Sequence, residues 1–173
     1  MIYIFTGNGK GKTTAAIGQA IRAFGQGKRV LIVQFIKSKK IPSGEDKIIS
    51  KLGKRFQLVK GGKGFVKILG DKLPFKKHKI AAENTLKIAK KAIFSDKFDL
   101  IVLDEINVAL NLNLISENKV ISLLKKIPEN LDLILTGRGA KKELIKIADL
   151  VTEFKEVKHP FRKGILGKRG REF

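Results

Sequence analysis

Nine residues near the start of the chain, Thr6-Gly7-Asn8-Gly9-Lys10-Gly11-Lys12-Thr13-Thr14, have the types and spacing to hold a chain of phosphates. Backbone N–H groups freed by the glycines can face phosphate oxygens, Lys12 supplies a point charge, and the Thr13 hydroxyl can ligate Mg²⁺ or Mn²⁺. The usual pattern is G-x-x-x-x-G-K-[ST]. Here the position five before Gly11 is Thr6 and the first glycine is Gly7, so the loop is one residue short. A glycine turn beside a chance Lys-Thr pair is the alternative.

The loop needs a strand before it and a helix after it. Met1 to Phe5 is an apolar run, and Ala16, Ile17, Ala20, Ile21 and Phe24 follow the loop at helical spacing. Gly25-Gln26-Gly27 is a fitting stop for that helix. The helix would open near Lys12 and aim its positive dipole end at the phosphates.

A second candidate lies at Asp104-Glu105, after the apolar residues Leu100-Ile101-Val102-Leu103. Carboxylates at the carboxyl end of a buried strand form a Walker B pattern. Asp104 would act on the metal through its water shell, since Mg²⁺ keeps several waters. Glu105 would activate water if the protein were a hydrolytic ATPase. A helix N-cap pair is the other reading. Further candidates also fall at strand ends, where open α/β sheets gather their ligands. Gln34 would meet either a ligand or nearby backbone, Thr136 could sense a phosphate, and Arg138 could reach an anion.

The positioning elements read as alternating strands and helices. Arg29 to Ile36 predicts a buried strand, and Ser43 opens a helix carrying Ile48, Ile49 and Leu52. Phe56 to Val59 predicts a short strand. The basic, glycine-rich stretch Lys60 to Lys67 would either move over a ligand or serve as a solvated connector. Pro74 introduces a helix of roughly two dozen residues with Ile80, Leu86, Ile88, Ala89, Ala92 and Ile93 on its apolar face. Further strands are predicted at Phe98 to Leu103, Leu131 to Leu135 and Leu150 to Phe154, with helices over Ser116 to Ile127 and Lys141 to Ile147. The total is about six strands in a mainly parallel sheet, an α/β P-loop NTPase (RecA-like) three-layer fold. Residues 1–173 form one domain, with 155–173 as a basic C-terminal tail that crosses the functional edge or hangs free.

Composition narrows the function classes. Cysteine is absent, which removes disulfides, thiolate catalysis and Cys-based zinc sites and fits a reducing cytoplasm. No apolar stretch reaches the length of a membrane span. The net charge of +21 is carried mostly by lysines spread along the chain. Either a lysine bias on solvated faces or a surface for a polyanion accounts for it.

Together these residues resemble the P-loop type ATP:corrinoid adenosyltransferases, also called cob(I)yrinic acid a,c-diamide adenosyltransferases. The resemblance spans the chain: the phosphate loop through Ala16, Val33 to Lys37, Gly64-Phe65, Val102 to Glu105, Thr136 to Ala140, Ala148 to Glu153, and Val157 to Phe161. The short loop is itself a family trait. The resemblance implies that ATP binds with its γ-phosphate deep in the loop and its ribose 5′-carbon facing a corrinoid. Reduced Co(I) attacks that carbon and triphosphate leaves, so no protein base is required.

The resemblance makes Gly7, Asn8, Gly9, Lys10, Gly11, Lys12, Thr13 and Thr14 the nucleotide cradle, with Arg22 as a further nucleotide contact. Glu105 becomes a ribose or metal contact, and Phe65 the aromatic that displaces the lower axial ligand of cobalt. It also implies a homodimer and a reduced flavoprotein as electron donor. The chain departs from the family in having Val66-Lys67 where members commonly have Thr-Trp, in its basic ending, and in starting on the first strand. A P-loop ATPase coupled to nucleic acid is the competing reading, and it would release ADP and phosphate.

Overall fold

The computed structural model describes residues 1–40, 42–64, 66–68 and 70–171. Six strands form one wholly parallel sheet in the order β3-β2-β4-β5-β1-β6. They are β1 (Ile2–Thr6), β2 (Val30–Ser38), β3 (Phe56–Gly62), β4 (Leu100–Asp104), β5 (Asp132–Thr136) and β6 (Leu150–Glu153). Helices α1 (Lys12–Gly25), α2 (Gly44–Ile49) and α3 (Phe75–Ile93) connect the first four strands. Helices α4 (Ile106–Asn111), α5 (Glu117–Leu124) and α6 (Lys142–Ile147) follow. The six-stranded α/β arrangement is the one expected from the sequence. Among the described residues, no helix is long and apolar enough to cross a membrane.

Parallel strands buried on both faces need apolar residues at successive positions, and the period of two sends them to opposite sides. Val30, Ile32, Leu100 and Val102 pack with Ala16 and Ala20 of α1 and Ile49 of α2. Leu31, Val33, Phe35, Ile101 and Leu103 pack on the other side, with α3, α4, α5 and α6. Two cores on one sheet give the three layers.

The helix after Pro74 differs from its expected form. It has 19 residues and ends at Ile93, where Phe94 takes the C-cap position. Its buried face is His78, Ala81, Ala82, Thr85, Leu86, Ala89 and Ile93. Ile80 and Ile88 are exposed and border an open groove beside Gly61 and Thr85. The helix contacts β3 through Thr85 instead: a Cβ at Gly61 would lie 1.9 Å from Thr85 Oγ1. Strand β3 itself runs on through Lys60, Gly61 and Gly62, so part of the presumed connector is sheet. Buried Lys60 pairs with Asp46, and its ammonium also donates to Ser43 Oγ at 3.1 Å, fixing the capped start of α2 against this edge strand.

At the base of the sheet, Arg29 forms a two-pronged pair with Asp99, 3.0 Å from Nε and 2.7 Å from an η nitrogen. It ties the entry of β2 to the entry of β4. Opposite this latch, the carboxyl ends of β1, β5, β4 and β2 come together. Because β5 lies between β1 and β4, Thr136 stands between the phosphate loop and Asp104.

Candidate nucleotide and transfer site

The phosphate loop is braced by the segment following β6. Phe154 N–H donates to Thr6 O at 2.8 Å, and Gly9 N–H donates to Phe154 O at 2.7 Å. This engages the Gly9 N–H within the protein, so its glycine serves close approach: a Cβ would lie 2.6 Å from Lys155 O. Gly7, at φ +97°, would place a Cβ 2.4 Å from Phe154 O. Gly11, at φ +116°, makes the left-handed turn that releases the chain into α1.

Lys12 is the first residue of α1 and is buried. Its ammonium donates to Gly7 O at 2.8 Å and Gly9 O at 2.6 Å, folding back over the loop. Burial lowers its pKa, Glu105 acts to raise it, and Arg138 lowers it further. The charge is therefore held in a partly desolvated place, where it acts more strongly on an anion than it would in water. Asn8, Lys10 and Thr14 are exposed around the loop. The Lys10 ammonium donates to Arg171 O at 2.6 Å, so the C-terminal tail returns to the loop.

Thr13 and Asp104 meet directly. Thr13 Oγ1 donates to Asp104 Oδ1 at 2.7 Å, and Thr136 Oγ1 donates to the same oxygen at 2.7 Å. Gln34, opposite Asp104 in the β2–β4 register, donates its amide to Asp104 Oδ2 at 3.0 Å. Asp104 is fully buried, with both oxygens already accepting donors. Thr13 gives its proton away and keeps oxygen lone pairs for a metal ligand. This fits Mg²⁺ or Mn²⁺ with Thr13 as direct ligand and Asp104 behind it.

Glu105 adopts φ +62° at the N-cap of α4, a left-handed conformation uncommon outside glycine. Its N–H donates to Thr136 Oγ1 at 3.0 Å. Burial, reinforced by Asp104, pushes its pKa up to about 7. It is thus poised to donate or accept a hydrogen bond near neutral pH. Asn107, fully buried two residues on, donates to Gly137 O at 3.2 Å, while its own Oδ1 has no partner among the described residues.

Several expected residues fall elsewhere. Arg22 is exposed in the last turn of α1, ten positions and about 15 Å of helix rise beyond Lys12, and is not brought to the loop of its own chain. Arg138 is exposed after β5, but its charge reaches Lys12 and Glu105. Thr136 proves to be an organiser of Asp104 and Glu105. Phe65 lies outside the described residues.

Two residues at the site escaped the sequence. Lys37 Nζ is 2.8 Å from Glu45 Oε1 and 3.6 Å from Asp104 Oδ2. Burial disfavours the Lys37 charge, but Asp104 and Glu45 outweigh it and raise its pKa. Burial likewise opposes ionisation of Glu45, yet Lys37 holds its pKa down to about 2. Strand alternation would send Gln34 and Lys37 to opposite faces. The β2–β3 register shifts between Gln34 and Ser38, and that irregularity lets both approach one carboxylate.

The whole chain, residues 1–173, matches the family described as ATP:corrinoid adenosyltransferase BtuR/CobO/CobP. A corrinoid adenosyltransferase of Sinorhizobium sp. is 39% identical over 175 residues, covering 100% of this chain and 80% of that protein. That of Escherichia coli K12 is 34% identical, and corrinoid adenosyltransferase CobA of Salmonella typhimurium 35%, each covering 100% of this chain and 85% of the relative. Among solved structures, the KaiC-like protein PH0186 of Pyrococcus horikoshii OT3 superposes with a TM-score of 0.46 at 18% identity. It covers 88% of this chain and 71% of its own.

Proposed function

This chain belongs to the ATP:corrinoid adenosyltransferase family, and from that premise we propose how its site transfers the 5′-deoxyadenosyl group of ATP to a reduced corrinoid. The Co(I) lone pair forms the bond to the ribose 5′-carbon as the bond from that carbon to the phosphate oxygen breaks. The departing electron pair stays on triphosphate, and no proton moves.

The observation that carries this reading is the Thr13–Asp104 hydrogen bond beside the sheltered Lys12. These groups are arranged to receive an anion, and stabilising a leaving anion is the main demand when the nucleophile belongs to the substrate. Lys12 would leave the Gly7 and Gly9 carbonyls for phosphate oxygens. Thr13, oriented by Asp104, would hold Mg²⁺ or Mn²⁺, whose charge offsets that of the phosphates when bound. Glu105, with its pKa near neutrality, suits a ribose hydroxyl as partner. The exposed Asn8, Lys10, Thr14 and Arg138 would rim the nucleotide.

The same reading extends to partners. Phe65 is assigned to the lower face of the corrinoid by its place in the Gly64-Phe65 motif. The net charge of +21 suits an acidic electron donor, with a reduced flavoprotein the class the family resemblance implies. A homodimer and a cytoplasmic setting belong to the same expectation. Nucleic acid is the partner of the ATPase reading, which family membership disfavours.

Anaerobic incubation with ATP, Mg²⁺ and a chemically reduced corrinoid tests the proposal. A light-sensitive cobalt–carbon spectrum should grow with enzyme turnover. Its absence, with folded protein and reduced corrinoid present, would count against the assignment.

A further inference from the structure

Three cations act on Glu105: Lys12, Lys37 and Arg138. The phosphate loop accounts for Lys12, and the turn after β5 for Arg138. Lys37 comes from a third direction, the carboxyl end of β2. Its ammonium has three N–H donors. Glu45 Oε1 accepts one at 2.8 Å, while Asp104 Oδ2 at 3.6 Å is an ion-pair contact too long for a hydrogen bond. The Lys37 side chain is 32% exposed and Asp104 0%, so the ammonium stands at the mouth of the buried carboxylate site.

A lysine serving only to fasten α2 would be expected to have its donors filled. Compare Lys60, whose buried ammonium is held by both Asp46 and Ser43 on the same helix start. Lys37 instead keeps donor capacity beside Asp104, whose Oδ1 receives the hydroxyl of Thr13 from the phosphate loop. Gln34 lies in the same cluster, its Nε2 3.4 Å from Glu45 Oε1 and its Oε1 buried without a partner among the described residues.

We propose that Lys37, paired with Glu45, is a second polyphosphate-contact cation that exchanges onto the phosphates when ATP binds. The proposal rests on the nucleotide reading given above. Lys12 would then grip the phosphates from the loop while Lys37 meets them from β2, across Asp104. Glu45 has a defined part in the exchange: it holds the ammonium in place before the substrate arrives and competes with phosphate for it afterwards.

That competition gives the proposal an opposite-sign signature. Binding of inorganic tripolyphosphate with Mg²⁺ is measured by calorimetry on the full chain, with far-UV circular dichroism confirming the fold of each variant. Lys37→Met should weaken binding about tenfold or more, as expected for a lost charge-assisted contact, and Lys37→Arg should stay within about threefold. Glu45→Gln should tighten binding, since Lys37 is released from its competitor. If Lys37→Met binds as the unaltered protein does, or if Lys37→Met and Glu45→Gln shift affinity in the same direction, the exchange is overturned and the pair is merely structural. Lys12→Ala separates the two levels. Loss of binding there with normal binding in Lys37→Met refutes only the role of Lys37. Normal binding in Lys12→Ala refutes the phosphate-loop reading and this proposal with it.

Discussion

Thr13 Oγ1 donates to Asp104 Oδ1 at 2.7 Å, joining the first turn of α1 to the end of β4 across 91 positions of sequence. The bond orients a hydroxyl without using its lone pairs, and it does so from a carboxylate with no exposure to water. Asp104→Asn keeps the shape but removes the charge and turns one acceptor into a donor facing Gln34 or the threonines. Adenosyl transfer should fall by about 10²-fold or more, with cooperative unfolding retained. Turnover within a few-fold of normal in steady-state kinetics would detach Asp104 from the chemistry.

Lys12→Ala removes the charge nearest the loop carbonyls that phosphates would replace. The expected loss is about 2 to 4 kcal/mol of transition-state stabilisation, read as a drop in kcat/KM for ATP. A folded variant with near-normal kcat/KM would remove the loop from the mechanism.

Much of this machinery was legible because it is local. The loop from Thr6 to Thr14 and the run Leu100 to Glu105 announce themselves by residue type, and alternation of apolar segments supplies the sheet that brings them together. What the sequence hid depends on relations between distant segments. Lys37 joins Gln34 only through an irregular register, and Phe154 braces the loop through its backbone, which leaves no side-chain signal. Ile80 and Ile88 misled because helical period alone does not say which side a neighbouring glycine-bearing strand will fill. Short α4 was legible only through the other reading of Asp104-Glu105 as a helix N-cap pair, and Glu105 does take the N-cap of α4, in a left-handed conformation.

Glu105 gives a pH prediction with a definite sign. Its pKa rises from 4.5 to about 7 on folding, so the folded protein binds more protons between those values. Its ionisation therefore lowers stability progressively as pH rises through this window, by at most about 3 kcal/mol. Glu105→Gln should remove that dependence in the ligand-free protein, narrowing the difference in unfolding free energy between pH 5 and pH 8. Parallel pH profiles for the two proteins in urea titrations would contradict the burial of an ionisable group there.

Gly9→Ala tests the brace between the loop and the segment after β6. The added methyl would meet Lys155 O at 2.6 Å and Phe154 O at 2.8 Å, both backbone atoms. Stability should fall by about 1 to 3 kcal/mol and ATP binding should weaken with it. Denaturant unfolding and nucleotide titration on the same variant check both. Unchanged values in both would mean the loop yields freely.

Adenosyl transfer and ATP hydrolysis differ in which bond of ATP is broken. ³¹P NMR of the anaerobic reaction with reduced corrinoid and Mg²⁺ reads this directly, alongside absorbance of the light-sensitive cobalt–carbon product. Attack at the ribose 5′-carbon predicts intact inorganic triphosphate in one-to-one ratio with that product. Formation of ADP and orthophosphate, with no cobalt–carbon bond, would contradict it and identify the site as one that hydrolyses ATP.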